Sequence, residues 1–280
     1  MIRPLTSALV LTAALAMAIP LHGATYEWTF NNGNLNDAFA QGTMEGVGGT
    51  VPTFATTNGT TIPHIGGVQA RYLSVPSFTL PTEGFNLTLA ATGPNGNGAY
   101  VNQYTFIFDF YSPGLPNWQA LFQTDPENTT TNNNDADWYV APDGALGIGA
   151  LGYSTVGAIQ QETWYRIAFA ADLSLGRVSY YIDGVQVFQS VLGVVDGRFA
   201  LYSNLDAGSD VRLFNEADGS GVYTHEMFIN SIAFVDREMT AEELGILGAP
   251  NAVGIFVPEP GSGLLVLTGL LAPLLRRQRR

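Results

Sequence analysis

The sequence predicts an all-β fold: a single two-sheet antiparallel sandwich with one short helix near its C-terminal end. Three observations lead there. Short runs rich in Val, Ile, Tyr, Phe and Thr are separated by turns dense in Gly, Asn, Thr and Pro. One hairpin specifies its own register. The stretch between the two chain ends has no long run with helical period and no internal repeat.

The hairpin lies in WYRIAFAADLSLGRVSYYIDGVQVFQ, residues 164–189. In its first strand Tyr165, Ile167 and Phe169 alternate with Trp164, Arg166 and Ala168, so one face is apolar and the other mixed. Asp183-Gly184 is the signature of a two-residue type I′ loop, which needs positive φ at both positions. Such a loop pairs Ile182 with Val185 and Tyr180 with Val187. It gathers Val178, Tyr180, Ile182, Val185 and Val187 on one face and turns Tyr181, Gln186 and Phe188 the other way.

Further strands are expected at 25–30, 70–75, 85–91, 102–111, 118–124 and 226–235. After the last, MTAEELGILG (239–248) encodes the helix: Thr240 and Glu243 form a capping box and Gly248 a C-cap. The Asn/Thr-rich ENTTTNNND, 127–135, reads as a long loop.

The two ends differ in kind from this body. Residues 1–24 show Arg3, small and apolar residues from Leu5 to Ile19, then Pro20, Gly23 and Ala24, the layout of a secretory signal peptide. Cleavage after Ala24 leaves Thr25 to open a strand, while Ala16-Met17-Ala18 offers the cleaner A-x-A match, so both sites stay open. At the other end, 251–256 reads as a linker into VPEPGSGLLVLTGLLAPLLRRQRR, 257–280. Its apolar helix, 261–275, spans about 22 Å against a hydrocarbon core of about 30 Å, so it is marginal as a transmembrane helix. The basic tail, 276–280, belongs on the cytoplasmic side by the positive-inside rule.

Between the ends, at 25–257, six arginines face 23 acidic residues, a net charge of −17. A body so acidic repels phosphate backbones and anionic lipid, which argues against nucleic-acid binding, but it attracts divalent cations. The chain has no Cys, so disulfides, thiolate zinc sites and cysteine nucleophiles are excluded. Its three histidines, His22, His64 and His225, are too widely spaced for a histidine-rich metal centre.

Several blocks carry a resemblance. Trp164-Tyr165-Arg166 leads a strand, followed by Asp172, Gly176 and Tyr181-Ile182-Asp183-Gly184. Ile232-Ala233-Phe234-Val235-Asp236-Arg237 then runs into Met239-Thr240-Ala241-Glu242-Glu243-Leu244. In that order they resemble the laminin G-like, concanavalin A-type jelly roll superfamily over residues 25–250. The resemblance implies two packed antiparallel sheets, often a calcium ion near the rim, and glycan or protein binding by rim loops or the concave sheet. Val257-Pro258-Glu259-Pro260, the apolar stretch and the cluster Arg276, Arg277, Arg279 and Arg280 resemble the PEP-CTERM sorting signal of Gram-negative bacteria. That resemblance implies export through signal peptidase, transient anchoring in the inner membrane, and processing by an exosortase. The cell surface or the extracellular matrix is then the destination.

Two acidic loops are candidates for calcium, because the ion takes six to eight oxygens and Gly/Asn/Asp loops supply them. The first offers Asp206, Asp210, Asn215, Asp218 and Glu226; the second, less favoured, offers Asp125, Asn128, Asp135 and Asp137. The same residues also suit plain turns. For sugar stacking, Trp118, Trp138 and Tyr139 lie in or beside long loops, whereas Trp28 and Trp164 read as core. No catalytic residues are assigned. The string E-x-D-x-x-E, which would put two carboxylates on one strand face for glycoside hydrolysis, is absent, as is a G-x-S-x-G elbow. The expectation is therefore an exported, non-catalytic binding protein that engages extracellular polysaccharide or a surface protein. A glycoside hydrolase or polysaccharide lyase of the same fold is the alternative, and a structural matrix protein without a specific ligand the second.

Overall fold

The computed structural model describes residues 24–124, 136–201, 211–216 and 225–256. Their strands are β1 (Thr25–Thr29), β2 (Thr43–Val47), β3 (Thr53–Thr56), β4 (Arg71–Val75), β5 (Gly84–Thr88), β6 (Gln103–Tyr111), β7 (Gln119–Gln123) and β8 (Trp138–Val140). Then come β9 (Leu146–Ile148), β10 (Gly152–Tyr153), β11 (Trp164–Asp172), β12 (Arg177–Ile182), β13 (Val185–Ser190), β14 (Val211–Leu213) and β15 (Met227–Val235). One α-helix, α1 (Ala241–Leu247), follows.

These strands make two antiparallel sheets. The first runs β13-β12-β11-β6-β15-β4-β3, with β1 also paired to β15, and the second runs β10-β9-β8-β7-β14-β5-β2. Period-two alternation decides which side chains meet between them. In β6, Tyr104, Phe106, Phe108 and Phe110 join the main core, while Ile107 packs on the opposite face and Asp109 stands beside it. Ile167 and Phe169 of β11 and Phe234 of β15 point into the same core, where they meet Phe122 and Trp138 from the second sheet. Fully burying each such ring contributes about 1.5–3 kcal/mol, so the aromatic layer supplies much of the stability of a chain without disulfides.

The six further strands expected beside the hairpin form, and α1 carries the expected cap, with Thr240 accepting from the Glu243 amide while the Glu243 side chain accepts from Thr240 N. Asp183 and Gly184 have φ of 51° and 78°, as a type I′ loop requires. The hairpin register differs in one place. Ile182 pairs with Val185 and Tyr181 with Gln186, but a shift then sets Tyr180 opposite Phe188 instead of Val187. The Tyr180 and Phe188 rings stack at 5.0 Å. A bulge that brings an aromatic pair together is worth roughly 0.5–1.5 kcal/mol beyond the area buried, which favours this register over the one expected. Val185, expected on the apolar face, is 66% exposed beside the turn.

The outer face of the first sheet is also covered. Met239, Leu244 and Ile255 bury Ile107, Ala168, Ala233 and Val235, so the stretch 251–256, expected as a linker, lies packed on the sheet. Among the described residues no helix is long and apolar enough to cross a membrane. The signal peptide up to residue 23 and the sorting segment 257–280 lie outside the described residues.

Candidate functional site

Four chain segments gather at one rim of the sandwich because the strands they join are neighbours. Tyr111, at the end of β6, pairs with Trp164 at the start of β11 and with Phe228 near the start of β15. In the second sheet, Gln119 at the start of β7 pairs with Val140 at the end of β8. Residues 112–118, 141–145 and 154–163 and the approach to β15 therefore share one end.

Hydrogen bonds fix these segments to one another. Glu162 N donates to Ser112 O at 2.7 Å, and Gln119 Nε2 donates to Ser112 Oγ at 2.9 Å and to Glu226 O at 3.3 Å. Asp143 caps its own turn by accepting from Ala145 N at 3.0 Å. Its carbonyl accepts from Gly157 N, and Gly144 O accepts from Ile159 N. Gly144 is required here: its φ is 75°, and a Cβ would meet Ile159 O at 2.2 Å.

Between the segments lies an open depression of about 660 Å³, lined by Gly114, Leu115, Pro116, Pro142, Asp143, Gln160, Gln161 and His225. Pro116 and Pro142 expose apolar rings, and Gln160, Gln161 and Asp143 expose amide and carboxylate groups. Trp118, two residues beyond Pro116, meets Tyr139 edge-on at 5.8 Å and Tyr153 at 5.8 Å, and Tyr153 is 36% exposed. Amides, a carboxylate and an imidazole around apolar faces suit a polyhydroxylated ligand. They donate and accept hydrogen bonds while the rings pack against C–H faces. Asp143 supplies a carboxylate to the described lining.

Of the three aromatics expected at a ligand site, Trp118 is partly exposed while Trp138 and Tyr139 are both buried in the main core. Trp118 is half-buried at the rim and Tyr139 sits behind it, its hydroxyl donating to the Glu216 carboxylate and accepting from Ala136 N. Trp138 is corrected from ligand-binding to core: it lies on β8, its ring fully buried against Phe169 at 5.6 Å.

Of the expected calcium ligands, Asp137, Asn215 and Glu226 are among the described residues. Asp137 is buried, with Oδ1 accepting from Arg198 Nε at 2.9 Å and Oδ2 from Thr124 N at 2.7 Å and Thr124 Oγ1 at 2.9 Å. Desolvation pushes its carboxyl up to about 6, against the pull of Arg198 and Thr124. Asn215 clamps a turn, its Nδ2 donating to Leu80 O and Glu83 O at 2.9 Å each and its Oδ1 accepting from Glu216 N. Glu226 is exposed at the approach to β15. Asp125, Asn128, Asp135, Asp206, Asp210 and Asp218 lie outside the described residues, as do Pro258, Glu259, Pro260 and the terminal arginines. Among the described residues no three His, Asp or Glu side chains are grouped to hold a metal ion. Sequence reasoning missed the depression itself, since its residues come from four loops and form no local string.

No protein-family model matches the chain, and no curated protein matches it. Solved structures share the two-sheet β-sandwich fold. The botulinum neurotoxin serotype G binding domain superposes with a TM-score of 0.50 at 13% identity, over 79% of this chain and 50% of that one. This chain thus spans half the length of that structure, and the likeness is one of fold. The binding domain of Paraclostridial Mosquitocidal Protein 1 aligns at TM-score 0.49 and 10% identity, over 79% of this chain and 51% of that one. Domain 4 of AbnA, a GH43 extracellular arabinanase from Geobacillus stearothermophilus solved with arabinotriose, aligns at 0.46 and 17%, over 80% and 97%.

Proposed function

We propose that this protein is an exported, non-catalytic β-sandwich that binds extracellular polysaccharide through the rim depression between Pro116, Pro142, Gln160, Gln161 and His225. The observation that carries this reading is chemical: amide, carboxylate and imidazole side chains and two proline rings meet around one open depression beside the Trp118–Tyr153 pair. The net charge of −17 in the body suits a neutral or cation-bridged glycan better than a polyanion. Export and surface sorting rest on the two chain ends, through the signal-peptide layout and the PEP-CTERM resemblance. Mass spectrometry of the mature surface protein tests that part. Loss of residues 1–24 and of the apolar tail is expected, and a mature protein that keeps 261–280 contradicts it.

The binding claim is tested by retention on immobilised polysaccharides from exopolysaccharide-forming bacteria. Retention without release of sugar supports it. Release of oligosaccharides makes the protein a hydrolase or lyase, and no retention on any of them makes it a structural matrix component.

A further inference from the structure

The outer face of the first sheet carries a buried polar centre far from any use in ligand binding. Glu27 of β1, Asp109 of β6 and Arg166 of β11 lie there, exposed by 0%, 0% and 4%. Residues 249–256 pass over them, and side chains of the sheet hold that segment by its backbone. Glu27 Oε1 accepts from Ile255 N at 2.5 Å and from Phe256 N at 3.2 Å. Arg166 Nη1 donates to Leu247 O at 2.7 Å and Nη2 to Gly254 O at 3.3 Å. Asp109 accepts from the Asn251 amide.

The charges at this centre do not balance. Asp183, in the β12–β13 turn, accepts from Arg166 N at 2.9 Å and joins Glu27 and Asp109 around the single guanidinium. Asp37 accepts from the Glu27 amide at 2.8 Å, adding a further carboxylate behind β1. The segment itself, APNAVGIF, has no titratable side chain, and the outward residues of β15 here are Ser231, Ala233 and Val235. On α1, Glu243 is engaged by Arg237 and its own helix cap. Uptake of a proton or departure of the segment relieves this excess negative charge.

We propose that residues 249–256 are a pH-gated strap latched by the Glu27 side chain, seated in mildly acidic surroundings and released with rising frequency as the pH climbs. Desolvation pushes the Glu27 carboxyl up to about 7 while the strap is seated, outweighing the Ile255 and Phe256 amides that hold it down. With the strap released, the carboxyl meets water and falls back toward the ordinary carboxylate range. Seating therefore binds a proton. It is fully favoured below about 4.5 and progressively weakened up to about 7. A protonated carboxyl keeps an acceptor oxygen, so both strap amides stay bonded in the acidic form. Release lifts Ile255 and Phe256 off the apolar strip of Ile107, Ala168, Ala233 and Val235 and leaves Met239 and Leu244 over it.

Hydrogen–deuterium exchange on the full chain tests this. Protection of the peptide covering 249–256, normalised to intrinsic exchange at each pH, is expected to fall at least tenfold from pH 5 to pH 8.5, while β6 keeps its protection. Glu27→Gln retains an acceptor but cannot titrate, so its strap protection is expected to be flat with pH. Flat protection in the unmodified chain, or a Glu27→Gln profile that tracks it, overturns the proposal. Should Glu27→Gln fail to fold, carbon NMR of the Glu27 carboxyl in the unmodified chain decides: a midpoint well above the ordinary carboxylate range supports the latch, and an ordinary one overturns it.

Discussion

Arg166 meets Asp109 side-on, Nε to Oδ1 at 2.7 Å and Nη2 to Oδ2 at 2.8 Å, with the aspartate fully buried. Desolvation raises the Asp109 carboxyl even beside this guanidinium, so the pair depends on both partners. Arg166→Ala strands a buried carboxylate and is expected to cost about 3–5 kcal/mol in urea unfolding. Arg166→Lys keeps the charge but loses the planar fork, so it is expected to recover only part of that stability. A loss below about 1 kcal/mol in Arg166→Ala would show that the pair is open to solvent.

Tyr180 poses the opposite case. Its hydroxyl is buried with no hydrogen-bond partner among the described residues, and desolvation raises its pKa. Tyr180→Phe keeps the stacking on Phe188 and removes an unsatisfied group, so an increase in stability of roughly 1 kcal/mol is expected. A drop in Tm would mean that the hydroxyl is bonded.

The Asp137 carboxyl gives stability a sign with pH. Its folded value of about 6 lies above the unfolded 3.8, so the folded state binds the extra proton and loses relative stability as pH rises from about 4 to about 6. Compared with Asp137→Asn across that range, the unmodified protein is expected to lose about 1–3 kcal/mol. Chemical denaturation at pH 4, 5, 6 and 7 checks this, and a gain in stability of the unmodified protein over Asp137→Asn as pH rises contradicts it.

At α1, Thr240 Oγ1 accepts from Glu243 N at 3.2 Å, and the Glu243 carboxylate serves Thr240 N and Arg237 together. Thr240→Ala removes the cap from a helix of seven residues that covers the outer face, for an expected cost of about 1 kcal/mol. Thermal unfolding measures it.

What could be read in the sequence was whatever local chemistry dictates. Asp183-Gly184 announced its turn, Thr240 and Glu243 their cap, and the alternation in β6 and β11 their buried faces. The short strands β2, β3, β8, β9, β10 and β14 escaped, because two to five residues beside glycines carry too little period to stand out. Trp138 was misplaced for a related reason: a tryptophan after a polar run looks loop-borne until the strand that turns it inward is known. The depression was illegible because Pro116, Pro142, Gln160 and His225 meet only through the pairing of β6, β11 and β15 and of β7 and β8. Glu27 and Ile255 stand 228 residues apart in sequence, so their bond was equally hidden.

Glycan binding is proposed for the rim depression. Polysaccharide retention by the unmodified protein and by Gln160→Ala/Gln161→Ala/His225→Ala measures it most directly. Gln160 and Gln161 are exposed and His225 partly so; each change is expected to move stability by no more than about 0.5 kcal/mol, so lost binding reports the site. At least a tenfold fall in affinity with an unchanged Tm is predicted. Undiminished retention by the triple variant would contradict the account.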